Sequence, residues 1–371
     1  LALNRDGSEL VIAQQILYSL AQTTFDDVHW GNLITNNLRV LQTDNVLSAK
    51  ADLLKGQRLH YLGDVGNAAG DPAHLAISQT GKVIVALGGV GDILLGNEKD
   101  YHWQRLRVGR HPVAVVIGSD GKQAYVANRF ADSIAVVDLQ KTTATAETSL
   151  GPQPQLSARD RGEMLFYDAR LAHDGWLSCH SCHSDGHSNG LLNDNLGDGS
   201  FGAPKRVLSL LGVGDTAPYA WLGAMPDLES QIQKSILTTM HGPKPSPQQV
   251  KDLAAFLRTL RPPPGILKFA AKHDSAGLER GRAVFHQQAC TRCHTPPEYT
   301  SPGAYDVGFR DEVGNTRFNP PSLRGVSQGG PYLHDNRAAT LEEVISKYRH
   351  QLKNELTKQD REDLLMFLRS L

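Results

Sequence analysis

Cys179-His180-Ser181-Cys182-His183 returns as Cys290-Thr291-Arg292-Cys293-His294, and the two stretches hold all four cysteines of the chain. C-x-x-C-H is the attachment signature of c-type haem: the thiols add to the porphyrin vinyl groups and the adjacent histidine reaches the iron. The pair predicts two covalently bound haem c groups on Cys179, Cys182, Cys290 and Cys293, with His183 and His294 as proximal ligands. Two other chemistries use paired cysteines. Zinc ribbons separate their pairs by roughly 15 to 20 residues, against 107 between Cys182 and Cys290 (290 − 182 − 1). A thioredoxin-like pair sits near a βαβ pattern and needs no histidine after its second cysteine.

Working outward, a displacement of 111 residues (290 − 179) superposes the two motifs and also lays Asp252-Leu253-Ala254-Ala255-Phe256-Leu257 on Asp363-Leu364-Leu365-Met366-Phe367-Leu368. Between them, a shift of 113 (331 − 218) aligns Ser209-Leu210 with Ser322-Leu323 and Pro218-Tyr219 with Pro331-Tyr332. The region therefore reads as two copies of one mostly α, cytochrome c-like unit, residues 155–262 and 266–371. Each copy has an N-terminal helix, the haem motif, a loop with distal groups and a C-terminal helix. Ser157 is the expected N-cap of the first helix. Arg261-Pro262-Pro263-Pro264-Gly265 marks the boundary between copies, and Gly151-Pro152-Gln153-Pro154 reads as a linker ahead of both.

Residues 1–150 have another texture. Asp6-Gly7-Ser8, Thr80-Gly81-Lys82 and Asp120-Gly121-Lys122 each precede a β-rich run, such as Val83-Ile84-Val85-Ala86-Leu87, and this reads as hairpins. The last two turns lie 40 residues apart (120 − 80), a blade-like period. The third unit, from His111-Pro112-Val113 to Val136-Val137-Asp138, resembles the YVTN-type β-propeller repeat. The expected fold is thus multidomain: an all-β segment of partial propeller-like blades, then two cytochrome c-like domains. About 150 residues suffice for roughly three or four blades, so further blades would come from a longer polypeptide or another chain. His29, His60, His74, His102 and His111 show no metal-ligand spacing, and Trp30 and Trp103 read as blade packing. A docking or scaffolding role is expected for this segment.

Among 371 residues, 38 basic side chains against 39 acidic ones give a formal charge of −1, which points to neither nucleic acid nor an anionic membrane. No apolar run reaches the roughly 18 residues of a transmembrane helix. The first residues do not read as a signal peptide. Covalent haem attachment in bacteria takes place outside the cytoplasmic membrane, so a periplasmic or otherwise exported protein is expected, its export signal absent from this stretch.

Tyr167-Asp168-Ala169-Arg170-Leu171, the first haem motif, Pro321-Ser322-Leu323-Arg324-Gly325-Val326 and Pro331-Tyr332-Leu333-His334-Asp335 together resemble the bacterial dihaem cytochrome c peroxidase and MauG family over residues 155–371. The resemblance implies a reactive first haem, a second haem that stores or relays an electron, and a tryptophan between them. Trp221, in Trp221-Leu222-Gly223-Ala224, is the candidate relay; packing at the haem edge is its other reading. The family places a glutamate over the reactive haem. Here the matching neighbourhood is Thr238-Thr239-Met240-His241-Gly242, so His241 is the candidate proton-transfer group, with iron ligation by His241 or Met240, or a structural role, as alternatives. No histidine lies between His187 and His241, which argues against a reductive ligand switch. At the second haem, Leu333 stands where the family often has methionine. His334 is the nearest donor, Tyr332, His350 and Met366 the others, and a hydrogen bond within the loop is the plain reading of His334. The family's calcium would fall to Asp194, Asn195 and Asp198.

The implied function is an exported dihaem c-type oxidoreductase of peroxidase type, reducing hydrogen peroxide or a related oxidant and exchanging electrons with a redox protein. MauG-like oxidation of a protein partner, and pure electron transfer with both irons six-coordinate, are the alternatives.

Overall fold

The structure, a computed structural model, describes residues 1–269 and 274–371; residues 270–273, inside the expected second haem domain, lie outside the description. Three antiparallel four-stranded sheets build the N-terminal part. The first contains β1 (Ala2–Leu3), β2 (Glu9–Leu17), β3 (Ile34–Gln42) and β4 (Arg58–Tyr61), with the short helices α1 (Phe25–His29) and α2 (Thr43–Leu47) between strands. The second runs through β5 (Pro72–Ile77), β6 (Lys82–Leu87), β7 (Asp92–Asn97) and β8 (Gln104–Arg107). The third runs through β9 (Pro112–Ile117), β10 (Gln123–Asn128), β11 (Ser133–Asp138) and β12 (Thr143–Ser149).

Strand neighbours follow chain order in every sheet, as hairpin connections require. The predicted turns hold, with Gly81 and Gly121 at φ +80° and +67°, a conformation open to glycine at no steric cost. In β6, Val83, Val85 and Leu87 join a core shared with the first sheet, whereas Ile84 joins one shared with the third. That two-sided burial is the period-2 alternation of a strand sandwiched between layers. The sheets do not close into a barrel.

The C-terminal part is built on paired helices: α3 (Ala158–Phe166), the single turn α4 (Cys179–Cys182), α5 (Leu228–Lys234), α6 (Pro247–Leu257), α7 (Ser275–Gln287), α8 (Leu341–Ser346) and α9 (Lys358–Ser370). Two-residue ladders pair β13 (Leu192–Asn193) with β14 (Lys205–Arg206) and β15 (Tyr305–Asp306) with β16 (Arg317–Phe318). Ser157 caps α3 in a reciprocal box with Asp160, as expected, and Thr357 with Asp360 does the same for α9.

The repeat is visible in the packing. In the first half α3 crosses α6 at Gly162, where a Cβ would overlap the Asp252 carbonyl oxygen; in the second, α7 crosses α9 at Gly281, where a Cβ would overlap that of Asp363. Arg161 clamps Asp252 through two bonds of 2.7 and 2.8 Å, and Arg280 clamps Asp363 at 2.7 and 3.0 Å. These guanidinium forks hold both carboxyls below the usual carboxylate range.

The sheets and the first helical half share one core: Val28, Leu33 and Ile34 pack with Phe166, Leu171, Trp176 and Met240. Backbone bonds stitch the seam, Gly70 N–H to Gly175 O at 3.0 Å and Ala169 N–H to Gly89 O at 2.9 Å. The approach is close because Gly70 and Gly89 lack side chains; a Cβ on either would meet the Ala169 methyl at 2.6 or 2.8 Å. The 151–154 linker therefore does not separate independent bodies. The second half keeps its own core around Phe285, Phe367 and Leu364.

Candidate haem cavity

A continuous cavity of about 630 Å³ is lined by Cys179, Cys182 and His183 from one motif and by Cys290, Cys293 and His294 from the other. Ser178 caps the α4 turn through its Oγ, and His183 donates its backbone N–H to Cys179 O at 2.9 Å. In the second motif the same bond runs from His294 to Cys290 at 2.9 Å. One helical turn thus presents two thiols and the following imidazole to one space. His294 Nδ1 lies 3.1 Å from the Tyr299 carbonyl, which leaves Nε2 as the nitrogen free for a metal. Burial pulls His183 down to about 4 and lowers His294 as well, so both rings are neutral donors at pH 7.

The same burial pushes the Cys179 and Cys182 thiols up to about 12 and Cys290 to about 11. A structural zinc would need four ligands gathered around one point, and among the described residues the cysteines do not gather into a metal-ligand cluster. The cavity does suit haem. Besides its apolar walls it has buried donors without partners, Arg206 Nε and Arg324 Nε, matched to the carboxylates of a porphyrin.

Trp221 lies where the halves meet. Its indole N–H donates to Arg206 O at 2.8 Å, its carbonyl accepts from Asn319 N–H at 2.7 Å, and its ring stands 6.3 Å from that of His334. His334 is almost fully buried, stacks on Phe318 at 4.2 Å and makes no hydrogen bond at Nε2 among the described residues, Asp335 Oδ2 standing 3.9 Å away. His350 also lines the cavity, its Nδ1 unpartnered and its ring pulled down to about 4 by burial. Tyr332 lines it too, but its hydroxyl is committed to Val326 O at 2.9 Å, and Met366 is not in the lining. His187 has both ring nitrogens engaged, 2.7 Å from Ser209 Oγ and 3.2 Å from Gln328 O.

Two expectations fare differently. Met240 is buried in the cavity wall, but His241 is not part of that wall. With φ at +47°, its backbone carries the ring toward the sheets, where Nε2 sits 2.8 Å from Thr23 O and the ring meets Phe25 edge-on at 5.9 Å. The structure therefore does not bring His241 to the cavity. The polar residues that do line it there are Gln231, Lys234, Ser235 and Thr239. Gln231 donates to Ser235 Oγ at 3.0 Å while its buried Oε1 has no partner. Sequence reasoning passed over it, although a glutamine beside Leu228 and Ile232 on the apolar face of α5 is a signal. The wider π turn at Ser235–Thr239 re-aims the backbone just beyond it, at Met240 and His241.

The proposed calcium ligands are not assembled either. Asp194 accepts from Gly202 N–H at 2.9 Å, Asn195 Oδ1 accepts from Gly197 N–H at 2.7 Å, and Asp198 pairs with Lys205 Nζ at 3.1 Å. That ammonium also reaches Asp311 at 3.0 Å and Ala203 O at 2.7 Å. A lysine thus supplies the cation that joins the two halves.

Residues 158–264 match the sequence profile of a family described as di-haem cytochrome c peroxidase. Among curated proteins, the methylamine utilization protein MauG of Methylorubrum extorquens is 27% identical over 271 residues, covering 57% of this chain and 76% of its own. Cytochrome c551 peroxidase of Nitrosomonas europaea is 25% identical over 263 residues, with 57% and 78% covered. A hydrazine synthase structure from Kuenenia stuttgartiensis shares the fold at a TM-score of 0.50 and 20% identity, over 62% of this chain and 96% of that one. The cavity and its two haem motifs agree with what these comparisons show: residues 158–264 are similar to the di-haem cytochrome c peroxidase family, and the wider helical region is similar to MauG and cytochrome c551 peroxidase.

Proposed function

We propose that this peroxidase-like dihaem oxidoreductase reduces hydrogen peroxide, or a related oxidant, at a haem held by Cys179, Cys182 and His183, and passes electrons by way of a second haem held by Cys290, Cys293 and His294. The observation that carries the reading is the single cavity shared by both motifs, with Trp221 at the junction of the halves. Haem, when bound, supplies the iron on which an oxidant binds and electrons are exchanged.

The chain's own residues do the rest. His183 and His294, neutral through burial, are donors to iron. Arg206 and Arg324 hold carboxylates. Gln231, with its free Oε1, is placed to accept a hydrogen bond from a peroxide hydroxyl and orient it, a task the position of His241 does not favour. His334, buried, and His350, half-buried, each with a ring nitrogen that makes no hydrogen bond among the described residues, are the candidate second ligands of the His294 haem.

Residues 1–150 fit three blades of an incomplete YVTN-type propeller, the remaining blades coming from the same polypeptide or another chain. Residues 155–262 and 266–371 are then two cytochrome c-like domains. No helix among the described residues is long and apolar enough to cross a membrane, and an exported, periplasmic setting with a redox-protein partner suits covalent haem. MauG-like oxidation of a protein partner is the second reading, favoured by the 27% identical relative of that name.

The test is spectroscopic and kinetic. The dihaem protein should show a high-spin ferric haem and turn over peroxide after chemical reduction, and Gln231→Leu should lower turnover at least roughly 10-fold while His241→Ala leaves it near wild type. Two low-spin haems indifferent to cyanide and peroxide would leave only electron transfer.

A further inference from the structure

We propose that His29, His173 and Asp174 form a binding site for a divalent first-row transition-metal ion of the zinc type, separate from the haem cavity and fastening the first β-sheet region to the first haem half. The three residues come from two places in the chain: His29 ends α1, and His173 and Asp174 lie just ahead of Cys179.

Their donor atoms form a nearly equilateral triangle. His29 Nδ1 lies 2.9 Å from His173 Nε2 and 3.5 Å from Asp174 Oδ2, and His173 Nε2 lies 3.4 Å from the same oxygen. Donors about 2.1 Å from one ion, at tetrahedral or octahedral angles, stand roughly 3.0–3.4 Å apart. The observed edges of 2.9, 3.4 and 3.5 Å lie within 0.1 Å of that range, whereas a lone imidazole–imidazole hydrogen bond would not require a carboxylate oxygen equidistant from both nitrogens.

Charge points the same way. Among the described residues Asp174 pairs with no lysine or arginine; the ionisable groups beside it are the two imidazoles. Two nitrogens and one carboxylate oxygen are the donor set of three-ligand zinc sites with room for water. The side chains are about a quarter exposed, 27% for His29 and 25% for His173, so water can complete the coordination.

The surroundings hold the donors in place. Gly66 N–H donates to Asp174 Oδ2 at 2.9 Å, the His29 carbonyl accepts from Trp176 Nε1 at 3.2 Å, and His173 N–H donates to Met240 O at 2.9 Å. Phe25 covers both rings, its centroid 5.5 Å from that of His29 and 4.8 Å from that of His173. Outer contacts of this kind orient ligands and sharpen affinity.

The test uses the untagged dihaem protein, freed of adventitious metal with a chelator and titrated with Zn²⁺ by calorimetry. Elemental analysis with haem iron as internal standard supplies the stoichiometry. The expected result is one zinc ion per chain, lost in the His29→Ala/His173→Ala double variant and weakened roughly 10- to 100-fold in Asp174→Asn. The haem spectrum should be unchanged, and Zn²⁺ should raise the melting temperature of the wild type but not of the double variant. Absence of zinc binding by the wild type, or equal binding by the double variant, overturns the proposal. Should the double variant fail to retain haem, His29→Gln and Asp174→Asn, each compared with wild type, decide the matter by the same loss of zinc.

Discussion

The two helical halves are built alike but placed differently. Each has a glycine at its helix crossing, an arginine fork on a buried aspartate and a cavity-facing C-x-x-C-H turn. The first half is pressed against the β-sheets and shares their core, whereas the second keeps a core of its own. The same architecture is thus used once as an embedded unit and once as an appended one, and the haem-motif positions record the difference. Ser181 in the first motif is bound to Gln15 of β2 and to Asp71 just ahead of β5, while Arg292 at the matching place in the second is exposed.

The sharpest way to break the pair apart is at Lys205. Its ammonium joins Asp198 of the first half to Asp311 of the second, and both carboxylates are nearly inaccessible. Lys205→Met leaves them buried without a cation, a loss on the order of 3–5 kcal/mol. The expected outcome, in melting of the haem-loaded protein, is that the second half unfolds ahead of the rest. A single transition at the wild-type temperature would show that the halves are held together elsewhere.

Gly162→Ala and Gly281→Ala come next. In each case the new methyl collides with a backbone carbonyl of the facing helix, which costs roughly 1–3 kcal/mol as the helices are forced apart. Equivalent construction predicts equal losses in denaturant titrations. A much smaller loss at Gly281 would mean that the appended half relaxes where the embedded one cannot.

What was legible in the sequence depended on the range of the interactions. The motif turns, the helix caps and the repeat are local or periodic, and they were readable. So were the hairpins at Gly81 and Gly121, where glycine chemistry announces the turn. Contacts made across the chain were not. His29 showed no ligand spacing because its companions lie 144 residues away. His241 stood at the matching sequence position for a distal group, yet a positive φ sends its ring toward Thr23. Asp198 was expected to serve a calcium ion, whereas the cation it meets is Lys205 of β14, shared with Asp311 more than 100 residues away (311 − 198). Gln231 was missed because five of the seven residues of α5 are polar, and only its spacing from Leu228 and Ile232 sets it on the buried face.

Acid should act on both halves alike. The Arg161 and Arg280 forks depress the carboxyls of Asp252 and Asp363. A depressed folded-state pKa gives stability that is present above the unfolded value of about 3.9 and is lost as pH falls through the lower folded value. Asp252→Asn and Asp363→Asn should each lower stability at pH 7 and flatten its decline below pH 4, measured as melting temperature against pH. An unchanged acid arm in either variant would show that its fork contributes no pH dependence there.

The smallest effect tests the placement itself. Ser181 Oγ donates to Asp71 Oδ1 at 2.7 Å, just ahead of β5, and accepts from Gln15 Nε2 of β2 at 3.3 Å and from Ser178 N–H at 2.9 Å, so the N-terminal part and the turn's own cap meet on one hydroxyl inside the first haem motif. Asp71 is buried, and burial raises its carboxyl pKa. Ser181→Ala removes the bonds to Asp71, Gln15 and Ser178 N–H together, at a cost of roughly 1–2 kcal/mol. Arg292→Ala, at the matching exposed position, should stay within about 0.5 kcal/mol of wild type. A fall in melting temperature for Ser181→Ala alone, with both haems still attached, is what a sheet-embedded first motif and a solvent-facing second one require; equal responses would mean that the sheets lend the first motif no stability through this contact.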